Sequence, residues 1–340
     1  RGLVVAAGGV DALVSAMRSH RGDAAVQQNC VAALESLMLS DHEALVLVVA
    51  GGGIYELVSA MRLHGGDAAV QQKCTAALWS LTSLEKHRAP VVAAGGIDAL
   101  VSAMQSHRGD AAVQRNCTAA LEKLTLCEQH EALVVAGGGI DALVSAMRSH
   151  RADAAVQERC TAALWSLSRF ERNQWPVVAA GGVDALVSAM RSHGADAAVQ
   201  HNCAAALQSL TLCEQHEALV VAGGGIDALI SAMRSHGGDA AVQERCTAAL
   251  WSLTTLEKHR GLVVAAGGVD ALVSAMRLHR GDAAVQQNCA AALQSLTVSE
   301  QLKALVVAGG GIDALISALR SHGGDAAVQE RCTAALENLR

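Results

Sequence analysis

Three tryptophans stand 86 residues apart, at Trp79, Trp165 and Trp251, in a chain with one further Trp, one Tyr and one Phe. Six residues before each of them is a cation, Lys73, Arg159 and Arg245, and Arg331 continues the series. In the intervening copies the cation register holds Asn29, Asn116, Asn202 and Asn288, while the Trp register holds Glu35, Glu122, Gln208 and Gln294, with Glu337 in the last copy. An indole offers a broad apolar surface and a guanidinium a fork of donors, and both types are enriched at protein-binding hot spots. The chemistry they point to is noncovalent recognition. Positions that accept Glu and Gln cannot all be core, so the tryptophans are expected to be partly exposed. The rival reading is that each Trp fills a gap beside small neighbours, because Trp buries more area than other side chains.

Other residue types invite chemistry and are better explained without it. Cys127-x-x-His130 and Cys213-x-x-His216 place soft ligands one helical turn apart. A structural zinc needs four ligands at one point, and these pairs lie two repeats apart, so no metal and no cofactor is expected. Histidine recurs at His20, His64, His107, His150, His193, His236, His279 and His322. Eight equivalent copies suggest helix C-terminal capping rather than catalysis. Arg-Gly-Asp occurs at Arg21-Gly22-Asp23, Arg108-Gly109-Asp110 and Arg280-Gly281-Asp282, where Asp reads as a helix N-cap. The glycine runs form no GxGxxG after a strand. No nucleophile or acid–base pair stands apart from the repetition, so the chain reads as non-enzymatic. The most individual stretch is Arg169-Phe170-Glu171-Arg172-Asn173-Gln174-Trp175-Pro176, a candidate surface contact.

These residues are positioned by a sentence written eight times. Its leading valine falls at Val4, Val48, Val91, Val134, Val177, Val220, Val263 and Val306, a step of 43 residues after a first step of 44. A period in this range marks a solenoid, whose units bury their apolar faces only against their neighbours. The reading is one domain, 1–340, of eight repeats at approximately 1–39, 40–82, 83–125, 126–168, 169–211, 212–254, 255–297 and 298–340. Net charge is −6 and basic clusters are absent, which argues against nucleic acid. With 51% hydrophobic residues the chain is too apolar to be disordered. Charged residues interrupt every apolar run, so no membrane span is expected.

Each repeat reads as three helices. Thr82-x-x-Glu85, Thr125-x-x-Glu128, Ser168-x-x-Glu171, Thr211-x-x-Glu214, Thr254-x-x-Glu257 and Thr297-x-x-Glu300 match the capping box, which makes the segment up to the glycines a short helix rather than a strand. A second helix over about 54–64 carries Ile54, Leu57, Val58 and Met61 at helical spacing. A third begins after Asp67 and lines up Val70, Cys74, Ala77, Leu78 and Leu81. Eight of the ten cysteines share that buried stripe, as small hydrophobes rather than a disulfide framework. A reducing, intracellular compartment, the cytoplasm, follows as an expectation.

AGGIDALVSAM, then DAAVQ, then AALWSLT resembles the armadillo-repeat family over the whole chain. The resemblance implies an all-α, right-handed superhelical solenoid of about eight three-helix repeats, whose third helices line a concave groove that receives an extended peptide. Peptide-binding members carry a Trp and, four residues later, an Asn on the third helix. Here those positions hold Ala76 and Ser80, Ala119 and Lys123, Ala162 and Ser166, Ala205 and Ser209, Ala248 and Ser252, and only Asn338 keeps the amide. The expected function is a protein- or peptide-binding scaffold. Its partner-binding set is Trp79, Trp165, Trp251, Lys73, Arg159, Arg245, Arg331, Asn116 and Asn202, facing acidic or polar segments. The alternative is a structural spacer that self-associates end to end through uncapped repeats.

Overall fold

The computed structural model describes residues 2–39 and 42–340, and every element among them is an α-helix. The chain divides into two compact units, Arg1–Leu167 and Ser168–Arg340. In the first, the third helices of successive repeats are Ala24–Met38, Ala68–Thr82, Ala111–Thr125 and Ala154–Ser168. In the second they are Ala197–Leu210, Ala240–Thr255, Ala283–Thr297 and Ala326–Asn338. Each follows a second helix of 11 residues, such as Gly53–Leu63 or Gly225–Ser235, and a shorter first helix, such as Glu85–Ala93 or Glu214–Ala222. Stacked third helices form the most extensive packing in either unit. Their stripes supply the core: Leu78, Leu121, Leu207 and Leu250 have no exposed surface. Burying one such leucine stabilises the fold by about 1.5–3 kcal/mol.

Polar groups inside each repeat close its helix ends. Asp67 Oδ1 accepts from the Ala69 and Val70 amides at 2.9 and 3.1 Å, the N-cap its position suggests. The Asp residues of all three Arg-Gly-Asp triplets cap the third helix in the same way. A device not anticipated from the sequence is the glutamine four residues further on. Gln243 is buried and its Nε2 donates to the Met233 and His236 carbonyls at 2.8 and 3.0 Å, and every repeat from Gln27 to Gln329 repeats the arrangement. One amide thus satisfies two orphan carbonyls at the C-terminus of the second helix.

Two capping expectations are corrected. Thr82 is the last residue of the third helix, and its hydroxyl donates back to the Trp79 carbonyl at 3.0 Å. Helix Glu85–Ala93 is preceded by Leu84, with no side-chain cap. The predicted short helix exists, but the threonine belongs to the helix before it. The recurrent histidine does stand at the second helix's C-cap, yet its ring serves the neighbouring repeat. His279 Nε2 donates to the Gly237 carbonyl at 2.7 Å, and His64, His107, His150, His236 and His322 make the same bond one repeat back.

The glycine pair turns the first helix into the second. Gly224 has φ +82°, a left-handed conformation, and a Cβ on Gly225 would lie 2.8 Å from the Val220 carbonyl oxygen. In five repeats the first and second helices together carry enough apolar residues for a span, but they are bent by 71–76° at these glycines. Among the described residues no single helix is long and apolar enough to cross a membrane.

Candidate functional site

The third helix buries one stripe against its neighbours and leaves another facing out. Trp79 stands on the outer stripe, 39% exposed, and Trp165 and Trp251 are half-buried. The tryptophans are therefore neither core nor fully free.

The cations six residues earlier reach back to the preceding repeat. Lys73 Nζ lies 3.5 Å from a Glu35 oxygen, and Arg159 Nη1 donates to Glu122 Oε2 at 2.9 Å. Arg245 Nη1 donates to Gln208 Oε1 at 3.4 Å and Arg331 Nη1 to Gln294 Oε1 at 3.3 Å. The register that holds Trp in one repeat thus holds, in the repeat before, the partner of that repeat's cation. Arg331 also stands over the Trp251 ring, its Cζ 5.4 Å from the centroid, within cation–π range. Arg245 has in addition a loose contact with Glu244 at 3.8 Å.

The asparagines do not join this outer set. Asn116 Nδ2 donates to the Gln72 carbonyl at 3.2 Å and the Thr75 hydroxyl at 3.3 Å, and Asn288 repeats this on Glu244 and Thr247. Asn202 is buried, with 8% of its surface exposed. Of the two asparagines expected to bind a partner, Asn116 is thus bonded across the seam to the preceding repeat, and Asn202 is buried. Of the serines at the register of the family's grip residue, Ser166 Oγ donates to the Thr125 carbonyl at 2.8 Å and Ser252 Oγ to that of Thr211 at 2.7 Å, whereas Ser209 Oγ donates within its own helix to Ala205 at 3.1 Å. Asn338 turns to Gln294 and Thr297.

An open depression of about 300 Å³ lies beside Trp251 in the C-terminal unit, walled by Leu212, Ala248 and Trp251 with Gln208, Glu244 and Asn288 at its edges. Leu212 was not singled out from the sequence. It is 73% exposed, and Leu39, Leu126 and Val298 occupy its register in the other odd repeats, all exposed. The signal was present: an apolar residue where even repeats have Ser83, Arg169 and Thr255.

Elsewhere, burial pushes the Cys74 thiol up to about 12 and the Cys332 thiol to about 11, so these cysteines stay protonated hydrophobes. His259 Nδ1 meets Glu217 Oε1 at 3.1 Å in a buried pair, and burial holds the Glu217 carboxyl above its usual range despite His259. Among the described residues no three His, Cys, Asp or Glu side chains are grouped to hold a metal ion. In the individual stretch, Arg172 stands 4.7 Å from the Phe170 ring and Trp175 stacks on His216 with centroids 6.0 Å apart.

No protein-family model and no curated protein sequence matches the chain. Solved structures do. An engineered protein superposes with a TM-score of 0.73 at 26% identity, over 99% of this chain and 90% of that one. A chain from a study of the phosphorylation switch controlling the cadherin–β-catenin interaction matches with a TM-score of 0.83 at 19% identity, over 97% of this chain and 60% of that one. A computationally designed armadillo repeat protein for modular peptide recognition matches with a TM-score of 0.62 at 19% identity, over 71% of this chain and 99% of that one.

Proposed function

From the premise that this chain is an armadillo-repeat protein by fold, we propose that it is a non-enzymatic scaffold that binds a peptide or protein segment along the outer stripe of its third helices. The observation that carries the reading is the depression at Trp251, where an indole and an exposed leucine form apolar walls beside an arginine held by a ring and a neutral amide. Burying an apolar side chain there removes both walls from water, and Arg331 can still accept a carboxylate partner. Acidic or polar segments are therefore the preferred occupants, with Trp79 and Trp165 as equivalent anchors beside Lys73 and Arg159. The familiar backbone grip through an asparagine ladder has no counterpart here, so side chains must supply the affinity. Ten thiols without a disulfide support a reducing, intracellular setting.

The test is selection of binders from a displayed random-peptide library, followed by the triple variant Trp79→Glu, Trp165→Glu, Trp251→Glu. Loss of a hot-spot Trp costs about 2 kcal/mol or more, so binding should weaken at least about thirtyfold. Selected peptides should be enriched in Asp and Glu over the starting library. Unchanged affinity in the triple variant removes the third helices from the binding site. A self-associating spacer predicts instead a mass that grows with concentration in sedimentation, and a strict monomer excludes it.

A further inference from the structure

The first and second helices carry a second feature that the third-helix reading does not use. In the C-terminal unit a depression of about 250 Å³ is lined by Val178, Val183, Asp184 and Leu219. One repeat further on, a depression of about 310 Å³ is lined by Val221, Ile226, Asp227 and Leu262. The two are built alike, each from the first and second helices of adjoining repeats. Leu219 is 43% exposed and Leu262 49%, and Asp184 and Asp227 are both exposed. The only charged side chain among the lining residues of each is its aspartate, while Arg234 reaches the rim of the second and donates to the Ala266 carbonyl at 3.4 Å.

A lone exposed leucine on a protein surface needs no explanation, but a row of them does. The register of Leu219 and Leu262 also holds Leu133 and Leu305, both about as exposed, Leu3 and Leu47 in the first two repeats, and otherwise Pro90 and Pro176. It is apolar in all eight repeats, whereas the exposed positions of the third helix drift freely among Gln, Glu, Arg and His. Asp184 and Asp227 sit in the first turn of their helices, where a negative charge suits the positive pole. That accounts for the acids and leaves the leucines unaccounted for.

The spacing and chemistry select an occupant. Equivalent points on stacked helices lie about 10 Å apart, the rise of about seven residues of an α-helix. An extended peptide would need exposed backbone donors and acceptors to pair with, and on this face they are spent inside helices. A helix brings its own hydrogen bonds. Each depression offers an aliphatic floor beside one carboxylate, which suits a bulky aliphatic side chain next to a cation. We propose that this row of leucine–aspartate depressions is a second docking face, and that its occupant is a basic amphipathic helix of a partner protein. That helix presents a large aliphatic residue about every seventh position, with Lys or Arg beside each.

The proposal is tested with a fluorescein-labelled helical peptide carrying Leu at heptad spacing, Lys beside each Leu and an Ala/Gln background, titrated into the full chain by anisotropy. Leu219→Glu with Leu262→Glu should weaken binding at least about tenfold, and Asp184→Asn with Asp227→Asn about threefold to tenfold with loss of its salt dependence. Both pairs lie at the surface, and circular dichroism melting checks that each variant stays folded. A control peptide with Glu in place of Lys should bind no more tightly to the wild type than the leucine-pair variant binds the basic peptide. Equal binding of the two peptides, no binding of the basic one, or indifference to both substituted pairs overturns the proposal. Loss of binding in the Trp79/Trp165/Trp251 triple variant instead places the peptide on the third helices and overturns it as well. If the wild type sediments as a dimer that the leucine pair abolishes, the face is occupied by a second copy and the proposal fails.

Discussion

The two compact units carry the same cation register and neutralise it differently. In the N-terminal unit Lys73 and Arg159 face Glu35 and Glu122, so each positive charge meets a carboxylate of the chain itself, and Glu122 also holds Lys123 at 3.0 Å. In the C-terminal unit Arg245 and Arg331 face Gln208 and Gln294. The carbonyl of a glutamine accepts the same hydrogen bond but brings no countercharge, and Arg245 has its carboxylate contact with Glu244 of its own helix, at 3.8 Å. One atom exchanged at the end of a side chain separates an ion pair between repeats from a neutral hydrogen bond at the same register. The repetition that builds the solenoid is therefore compatible with functional division along it.

That comparison can be broken at three depths. The largest effect should come from the core, where the units are equivalent. Leu121→Ala and Leu207→Ala stand at one register with no exposed surface in either unit, and each should cost about 2–5 kcal/mol in thermal denaturation. A loss below about 1 kcal/mol at one site would show that the two cores differ. The smallest stability effect should come from the surface pairs. Glu122→Gln and Gln208→Glu exchange the two arrangements, and each should shift stability by no more than about 1 kcal/mol. The informative reading there is affinity for acidic peptides, which Gln208→Glu should lower about threefold and Glu122→Gln should raise. No change in either direction would mean that the cation register is not in contact with the ligand.

Between these lies a contrast in acid response. Burial raises the Glu56 carboxyl, but hydrogen bonds from Arg21 and Arg18 outweigh it and hold the group below its ordinary range. Its contribution in the N-terminal unit is thus present above the ordinary carboxylate pKa and is lost as pH falls through the lowered value. Glu217 in the C-terminal unit is shifted the other way, chiefly by burial. Folding there favours the protonated acid, so that contribution is full below the ordinary carboxylate pKa and fades as pH rises through the raised value. Glu56→Gln should therefore flatten the acid limb of stability and Glu217→Gln should flatten a decline at higher pH. Melting curves across the acid range check both, and matching responses from the two variants would refute the assignment.

Much of the fold was legible because each repeat states it again. The Asp N-caps, the glycine turns and the apolar stripes depend on neighbours within a few residues, which the sequence places side by side. The capping box misled because Thr82-x-x-Glu85 has the right letters at a helix boundary, and spacing does not say which helix owns the hydroxyl. The candidate site was half legible. Alternation marked Trp79, Trp165 and Trp251, but it could not say that at the shared register Arg159 reaches the Glu122 carboxylate of the preceding repeat while Asn116 turns to the Gln72 carbonyl and Thr75 hydroxyl of its own preceding repeat. Leu212 was overlooked because it fills an unnamed position of Thr211-x-x-Glu214, where only the end residues carry the capping pattern.

By itself the sequence determined the period, the three helices of each repeat and the two-repeat alternation, since these follow from propensity, caps and apolar spacing over short stretches. Only the tertiary structure decided which side chains meet across repeats. His279 on the Gly237 carbonyl, Arg159 on Glu122, Arg331 over Trp251 and Leu219 beside Asp184 join residues from about 35 to 80 positions apart. Helical periodicity fixes neighbours only within a turn or two, and these contacts depend on how one repeat is laid against the next.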